Sequence, residues 1–483
     1  MANQKSSSNG TLVMKFGGTS VGSAEAIKKA CQIVLDARAA WPHVVVVTSA
    51  LSGVTNLLLD SATSAVHGNL QPLVEAEKTL REKHAKAADE LIPDLAARAQ
   101  ANEEIGQLIT VFVDLCRAIA ILGEATPRAL DAVASLGERM SVRILAPAIS
   151  AVGLPAKYIE ATELITTNHQ FQNAHPDFET TTKRTRQVLE PLLAQNIVPV
   201  ITGFIGQTPE GAITTLGRGG SDYSAGIIGA VLPADDVWIW TDVDGVMTAD
   251  PRMVPEARTL PEITYGEVAE LAYYGAKVLH PKTIRPVVEA GIGLRICNTF
   301  NPTHPGTRLI PNTSSNGEAR DSKQIIKAVT AVRKQKLITV EGRGMLGVPG
   351  VAARAFAAVA STGTSVPLIT QASSEQSICF AVPSEAGAAV LAALESTFSS
   401  EIVERDIDRV WATEDVAIIT VVGTGTRNTP GVAGQVFTQL GQSGVNVLAI
   451  AHGSSDVSIS LAVESADAEK AVKSLHELIV STP

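Results

Sequence analysis

Aromatic side chains are scarce in this chain of 483 residues, at 4% of the total, so the 45% hydrophobic content is almost all aliphatic. With 18% charged residues, that composition describes a globular chain with a large core, and its length suggests about three domains. Cysteine is also rare. Cys31, Cys116, Cys297 and Cys379 lie far apart, with no CxxC or Cys/His cluster, and the nine histidines show no HExxH spacing. A protein zinc site is therefore not expected, and a reducing, cytoplasmic setting is. Positive charge is in deficit: the net charge of −10 argues against nucleic acid as the main partner, while leaving room for a local basic cleft. No uninterrupted apolar run reaches about 18 residues, so no membrane span is expected. The stretch from Met1 to Gly10 is polar and Ser-rich, which predicts a short disordered tail without an export signal. The turn Gly17-Gly18-Thr19-Ser20 fits neither GxxxxGK[ST] nor GxGxxG, so neither the P-loop nor the dinucleotide fingerprint applies there.

What is present centres on Gly217-Arg-Gly-Gly-Ser-Asp222. An apolar run precedes it, and Tyr223 to Leu232 has a helical composition. The glycines thus sit where a strand or hairpin hands over to a helix, whose free N–H groups favour an anion. Arg218 adds a planar fork for a carboxylate or phosphate, and Asp222 an acid beside it. The strand Leu12 to Phe16 likewise runs into Gly17-Gly18-Thr19-Ser20, with a helix from about Ala24. Lys15, at that strand's end, is either a cation facing glycine-bound phosphate or a snorkelling lysine.

Val44 to Val47 is a β-branched run suited to a strand buried on both faces. It ends in a segment from Thr48 to Asn56 in which Ser49 and Thr55 are ligand contacts or turn and cap residues. From about Leu57 to Leu130 the pattern is helical. Glu138 follows Gly137 and precedes a helix expected from Met140 to Val152. There it either meets a ligand ammonium or serves the helix dipole from its first turn. Further strands are expected at Ala156 to Ile159, Ile197 to Ile201, Val237 to Trp240 and Leu294 to Cys297, the last of this region. After Trp240 comes Thr241-Asp-Val-Asp-Gly-Val-Met-Thr-Ala-Asp-Pro-Arg252, suited to a nucleotide or a metal but lacking EF-hand spacing. Lys277 is a second possible phosphate contact. Asn301 to Asp321 reads as linker.

The C-terminal third repeats itself without a gap. Pro349-Gly-Val-Ala352 matches Pro430-Gly-Val-Ala433, and the same offset of 81 residues (349 to 430) pairs Phe356 with Phe437, Ser373-Ser374 with Ser454-Ser455, and Ile378 with Ile459. Each copy predicts strand, turn, helix, strand, turn, strand, helix.

With these residues in place, the chain resembles the aspartate kinases. The resemblance rests on Lys15 to Val21, Ser49 to Asn56, Gly137-Glu138, Gly217 to Asp222, Thr241 to Arg252, Gly275 to Pro281 and the tandem repeat, which resembles paired ACT modules. It implies an α/β fold: a three-layer α/β/α sandwich with a mostly parallel sheet, followed by two ferredoxin-like ACT modules. The implied domains are a kinase domain over 11–310 with a helical insertion at about 57–130, a linker over 311–325, and ACT modules over 326–410 and 411–483. The implied reaction is phosphorylation of the L-aspartate β-carboxylate by ATP, with Mg2+ bound through the nucleotide phosphates, to give 4-phospho-L-aspartate.

The resemblance also implies roles. Lys15 and Asp222 would be catalytic. Ser49, Thr55, Glu138, Arg218 and Ser221 would bind aspartate. Lys15, Gly17, Gly18, Thr19, Gly219, Gly220, Thr241, Asp242, Met247, Asp250, Arg252 and Lys277 would bind ATP. Many family members carry Tyr where Met247 stands, so ring stacking on the adenine is lost there. Met345, Gly350, Val351, Ser365, Val366, Gln371 and Ala372 would bind an amino-acid effector. The stretch Leu368 to Phe380 is most similar to the kinase halves of bifunctional aspartokinase–homoserine dehydrogenases, and with Pro367 where lysine-sensitive relatives often have Asp, threonine is favoured over lysine. The chain stops at Pro483, so no dehydrogenase domain is expected. ACT edges predict a homodimer or dimer of dimers. Two competing expectations remain: another acyl-phosphate-forming kinase, such as an acetylglutamate kinase, and a non-enzymatic amino-acid sensor.

Overall fold

Thr11–Phe16 (β1) is buried throughout, and His43–Thr48 (β2) is buried after its first residue, as continuous apolar strands require. Between them runs Ala24–Ala40 (α1), whose Ser23 cap accepts a hydrogen bond from the Ala26 N–H at 3.2 Å. The long helical stretch resolves into Val54–Val66 (α2), Gln71–Leu91 (α3) and Leu95–Leu122 (α4), with Pro93 in the break between α3 and α4. Next come Pro127–Ala151 (α5), Ala156–Ile159 (β3), Phe178–Ala194 (α6), Val198–Thr202 (β4), Ile205–Gln207 (β5), Ile213–Thr215 (β6), Gly220–Val231 (α7) and Asp236–Thr241 (β7). Glu262–Thr264 (β8), Tyr265–Tyr273 (α8), Pro281–Glu289 (α9), Gly293–Asn298 (β9) and Thr307–Ile310 (β10) follow.

The computed structural model describes residues 10–274, 279, 281–312, 325–372, 375–452 and 455–480. The expected N-terminal tail, Lys277, most of the expected linker, and Ser373, Ser374 and Ser454 of the paired turns lie outside them. The chain divides into two units. The first is Met1–Val246, Pro261–Tyr265 and Leu279–Pro311; the second is Met247–Leu260, Gly266–Val278 and Asn312–Pro483. Two segments that the sequence places inside the kinase domain thus cluster with the second unit.

The first unit is built on an eight-stranded sheet ordered β3-β4-β2-β1-β7-β9-β10-β8. Its strands run parallel from β3 to β9; β10 is antiparallel to β9, and β8 runs with β10. Alternation assigns the two faces. Leu12, Met14 and Phe16 join Val44, Val46, Val198 and Val200 in one core with α1 to α5. The residues between them face the opposite layer, where α6 packs on β4 and α7 on β1 and β7. Lys15 falls between Met14 and Phe16 and therefore points toward α7.

Two expectations fail here for local reasons. The helix bearing Glu138 begins at Pro127, capped by Thr126, so Glu138 lies mid-helix and not in a first turn. Gly137 looks like a helix start but is a packing contact: a Cβ there would stand 2.8 Å from the Ala50 Cβ. Cys297 does not close the last strand of the region, because β10 forms inside the Pro- and Asn-rich stretch taken for linker. Among the described helices, α4 is long and apolar enough to cross a membrane by length and composition alone, a test that the core helix of a globular domain also passes. Asp114 and Arg117 interrupt its apolar half, so no unbroken apolar run of 18 residues occurs in it. One side of α4 is buried through Ile105, Ile109, Phe112, Cys116 and Ile119, and the helix packs with α2, α3 and α5.

The second unit contains Ala328–Glu341 (β11), Val351–Ser361 (α10), Ile369–Gln371 (β12), Ser377–Pro383 (β13), Gly387–Thr397 (α11), Ser399–Glu404 (α12) and Arg409–Ala412 (β14). Val416–Val422 (β15), Val432–Gln442 (α13), Ala449–Ala451 (β16), Ser458–Glu464 (β17) and Ala468–Val480 (α14) complete it. The sequence repeat reappears as structure: α10 and α13, and β13 and β17, occupy positions offset by the same 81 residues. All strands share one sheet, ordered β12-β13-β11-β15-β17-β16 with β14 on β11. β11 serves both copies. Its residues 328–332 pair with β15 and its residues 335–341 with β13, the register shifting where Lys334 takes a φ of 57°.

Helix α8 is fastened within this unit by Glu267, which is 0% exposed. Its carboxylate pairs with Lys327 at 2.9 Å and accepts the Thr424 N–H and hydroxyl, both at 2.7 Å. Removing one partner of such a pair leaves a buried charge unmatched. Glu267→Ala is expected to destabilise the second unit by about 3–5 kcal/mol in chemical denaturation. A change below about 1 kcal/mol would mean that water replaces the carboxylate at little cost.

Candidate active site

A cleft of about 750 Å³ opens at the carboxyl ends of β1, β2 and β7 in the first unit, where open parallel sheets place ligands. Gly17, Gly18 and Thr19 reach it from the loop after β1, and Ser49 to Gly53 from the loop after β2. Thr55 and Asn56 come from α2, Asp131 and Glu138 from α5, Gly217 to Asp222 from the turn into α7, and Thr241 from the end of β7.

Lys15 is pinned in the sheet centre, in register with Val47 on one side and Ile239 on the other. Its ammonium reaches Asp222 in the first turn of α7 at 2.5 Å, as an ion pair and not an aligned hydrogen bond. Both groups are largely shielded from water. The ammonium also lies over Gly17, where a Cβ would approach it to 3.4 Å.

Two helices present open N-termini. α2 starts at Gly53 and α7 at Gly219, and neither cap supplies a side-chain hydrogen bond. Their first-turn N–H groups are therefore free of side-chain caps for an anion. Gly219 holds a φ of 71°, which glycine adopts at no steric cost. By contrast, α1 is closed by its own Ser23. The Gly17 N–H is also committed, donating to the Trp240 carbonyl at 3.1 Å, so the expectation that it holds phosphate does not stand. Gly17 contributes shape; Gly18 keeps an N–H with no backbone partner among the described residues. Ser20 and Thr299 staple this loop from beneath, Thr299 donating to Ser20 at 2.7 Å and Ser20 to the Trp240 carbonyl at 3.2 Å.

Glu138 is 3% exposed. One carboxylate oxygen accepts the Ala50 N–H at 3.2 Å; the other is buried without a partner among the described residues. Burial pushes its pKa up to about 8, against the pull of the Ala50 N–H and of Lys15. Such a carboxylate is suited to receive a cation from a ligand. Arg218 is exposed and has no ion pair among the described residues. Ser221 is buried against Gly203, and Ser49 and Thr55 are half-buried on the cleft wall.

Not every expected residue joins this cleft. Asp242 is exposed and accepts the Thr241 hydroxyl at 3.1 Å, but does not line it. Met247, Asp250 and Arg252 belong to the second unit. There Met247 bridges Thr259, and Asp250 and Arg252 hold each other at 2.5 Å. Among the expected effector residues, Met345 is buried in a core, whereas Gly350 is the uncapped N-terminus of α10 and Ser365, Gln371 and Ala372 are exposed. Val351 and Val366 are half-buried against that core. Conversely, Asp131, Gln172, Phe204 and Thr215 line the cleft without having been singled out. Asp131 was findable: it precedes Glu138 by two helical turns on the same face, once Thr126-Pro127 is recognised as the helix start.

Residues 10–298 match the amino acid kinase family, and residues 338–398 and 419–478 match an ACT domain. The chain is 38% identical over 468 residues to the chloroplastic bifunctional aspartokinase/homoserine dehydrogenase 1 of Zea mays, covering 96% of this chain and 50% of that one. It is 35% identical over 488 residues to the chloroplastic aspartokinase 3 of Arabidopsis thaliana, covering 98% and 82%. It thus spans about half the length of the bifunctional relatives it matches. Among solved structures, E. coli aspartokinase III in complex with lysine and aspartate superposes with a TM-score of 0.78 at 31% identity, over 97% of this chain and 99% of that one. With the amino acid kinase match covering more than half of the chain and an aspartokinase relative 35% identical over 82% of its length, the chain belongs to the aspartokinases of the amino acid kinase family.

Proposed function

We propose that the chain transfers the γ-phosphoryl group of ATP to the β-carboxylate of L-aspartate, giving 4-phospho-L-aspartate and ADP. The observation that carries this reading is the cleft itself: the Lys15–Asp222 pair, two open helix N-termini and the unpartnered Glu138 oxygen share one hollow. Solved complexes of E. coli aspartokinase III with lysine and aspartate, and with aspartate and ADP, support it.

The substrate ammonium pairs with Glu138 and its α-carboxylate with Arg218, leaving the β-carboxylate directed at the nucleotide. One β-carboxylate oxygen bonds to the γ-phosphorus as the bond from that phosphorus to the bridging oxygen breaks, and ADP departs. The attacking carboxylate is already ionised at neutral pH, so no general base is needed. Lys15, held by Asp222, neutralises charge on the transferring group, and the α7 and α2 N-termini receive phosphate and carboxylate oxygens. Mg2+ would be carried in on the nucleotide phosphates and would offset charge on them, alongside Lys15.

In the second unit, the uncapped start of α10 at Gly350 and the exposed Gln371 are proposed as parts of the effector site, with threonine favoured over lysine. Calorimetry with each amino acid in turn separates the two. The ACT modules are proposed to pair between copies, giving a homodimer or dimer of dimers. The reaction is tested by ATP-dependent hydroxamate formation. Product is expected with L-aspartate and not with N-acetyl-L-glutamate; the reverse would make the chain a different acyl-phosphate kinase. No product under any effector condition would favour a sensor.

A further inference from the structure

Helix α5 carries a second buried carboxylate that the proposed chemistry leaves unused. Asp131 is 1% exposed and lies on the Glu138 face of the helix. One of its oxygens accepts the Gln172 N–H and the Thr215 N–H, each at 2.9 Å, and the other accepts the Thr215 hydroxyl at 2.7 Å. All three partners are donors, which matches an ionised, acceptor-only carboxylate. Burial raises its pKa, and the Gln172 and Thr215 bonds oppose that rise.

Those two partners belong to the lip that carries Arg218. Thr215 ends β6, three residues before the arginine, and the next amide, that of Leu216, donates to the Phe204 carbonyl at 2.8 Å. Gln172 sits at a φ of 66°, an uncommon conformation for a side-chain-bearing residue, with its N–H turned onto Asp131. Its carbonyl presses on Gly217, where a Cβ would approach it to 3.0 Å, and Ala174 joins Thr215 by a 2.9 Å backbone bond. Asp131 therefore pins both sides of the seam from which the turn toward Arg218 departs.

Taking the substrate reading above as the premise, we infer that Asp131 is a positioning residue: through Gln172 and Thr215 it sets the Arg218 turn at a fixed separation from Glu138 on the same helix. An α-amino acid presents an ammonium and a carboxylate at a fixed spacing, and α5 acts as the ruler for both. Glu138 meets the ammonium directly, and Asp131 places the group that meets the carboxylate.

Steady-state kinetics on Asp131→Ala, Asp131→Asn and Thr215→Val in the full chain test this, with thermal unfolding measured alongside. Asp131→Ala is expected to raise KM for aspartate about tenfold or more, with kcat and KM for ATP changed less than about threefold. Asp131→Asn restores KM for aspartate to within about threefold of the unsubstituted chain, because the amide oxygen accepts both N–H groups and its NH2 donates to the Thr215 hydroxyl. Parallel rises in both KM values that track a fall in Tm would overturn the inference, as would an asparagine variant as impaired as the alanine one. If Asp131→Ala does not fold, Thr215→Val decides: a selective rise in KM for aspartate supports the inference and no change overturns it. Absence of aspartate-dependent turnover in the unsubstituted chain would remove the substrate assignment itself, and this inference with it.

Discussion

Lys15→Ala is expected to lower kcat by about 10³-fold while the chain still folds and binds nucleotide. The size follows from where the lysine sits. It projects from a central strand toward the start of α7, is mostly shielded from water, and is fixed by Asp222 at 2.5 Å. A charge held in place in such a setting stabilises a transferring phosphoryl group without reorganising, whereas water entering the vacated space must orient during the reaction. Asp222→Asn keeps the shape of the anchor but loses the charge that steadies Lys15, so a smaller loss is expected there. The measurements are single-turnover phosphoryl transfer, circular dichroism for the fold, and ADP binding by calorimetry. Turnover within tenfold of the unsubstituted chain, with the fold intact, would strip Lys15 of its catalytic assignment. Loss of nucleotide binding together with the fold would assign it a structural role instead.

The strands that build the cleft floor were legible because a parallel sheet covered on both faces writes itself as short β-branched runs: β1, β2, β4 and β7 lie where Leu12 to Phe16, Val44 to Val47, Ile197 to Ile201 and Val237 to Trp240 predict them. The tandem repeat was equally plain, since a gapless offset needs no three-dimensional information. What escaped was set by tertiary contact. β5, β6 and β8 have three residues each, too few for any period to show. β10 exists because β9 offers it an edge, against the turn-forming composition around it. Gly17 carries the residue type of a phosphate loop, yet its N–H is taken by Trp240, a residue far along the chain. For Glu138 the resemblance implies a contact with the substrate ammonium. The sequence left a first-turn dipole role open, and the structure removes that option by starting α5 at Pro127. Asp131 shows the same lesson from the other side: its partners Gln172 and Thr215 are distant in sequence, so its work cannot be read from spacing alone.

Glu138→Gln is expected to raise KM for aspartate by about 10²-fold, as loss of a buried, charge-matched contact does, and at the same time to stabilise the ligand-free chain at alkaline pH. The second effect comes from burial. Burial raises the folded-state pKa of Glu138 to about 8 from the ordinary glutamate value of 4.5. Between those two values the folded state binds a proton that the unfolded state has released, so stability falls as pH rises through the window and levels off above it. Glutamine carries no such penalty, and the variant is expected to show a higher Tm at pH 8 to 9 and a flatter pH dependence across this range. Ligand binding runs the opposite way. The aspartate ammonium needs the ionised carboxylate, so binding expels the proton, and affinity tightens with rising pH by up to about tenfold per unit until pH about 8. Calorimetry of aspartate binding in two buffers of different ionisation enthalpy reads that proton directly. Close to one proton released at pH 6.5, and none in Glu138→Gln, is the expected result. Proton release that persists in the variant would place the titrating group elsewhere in the cleft and leave Glu138 without its ammonium.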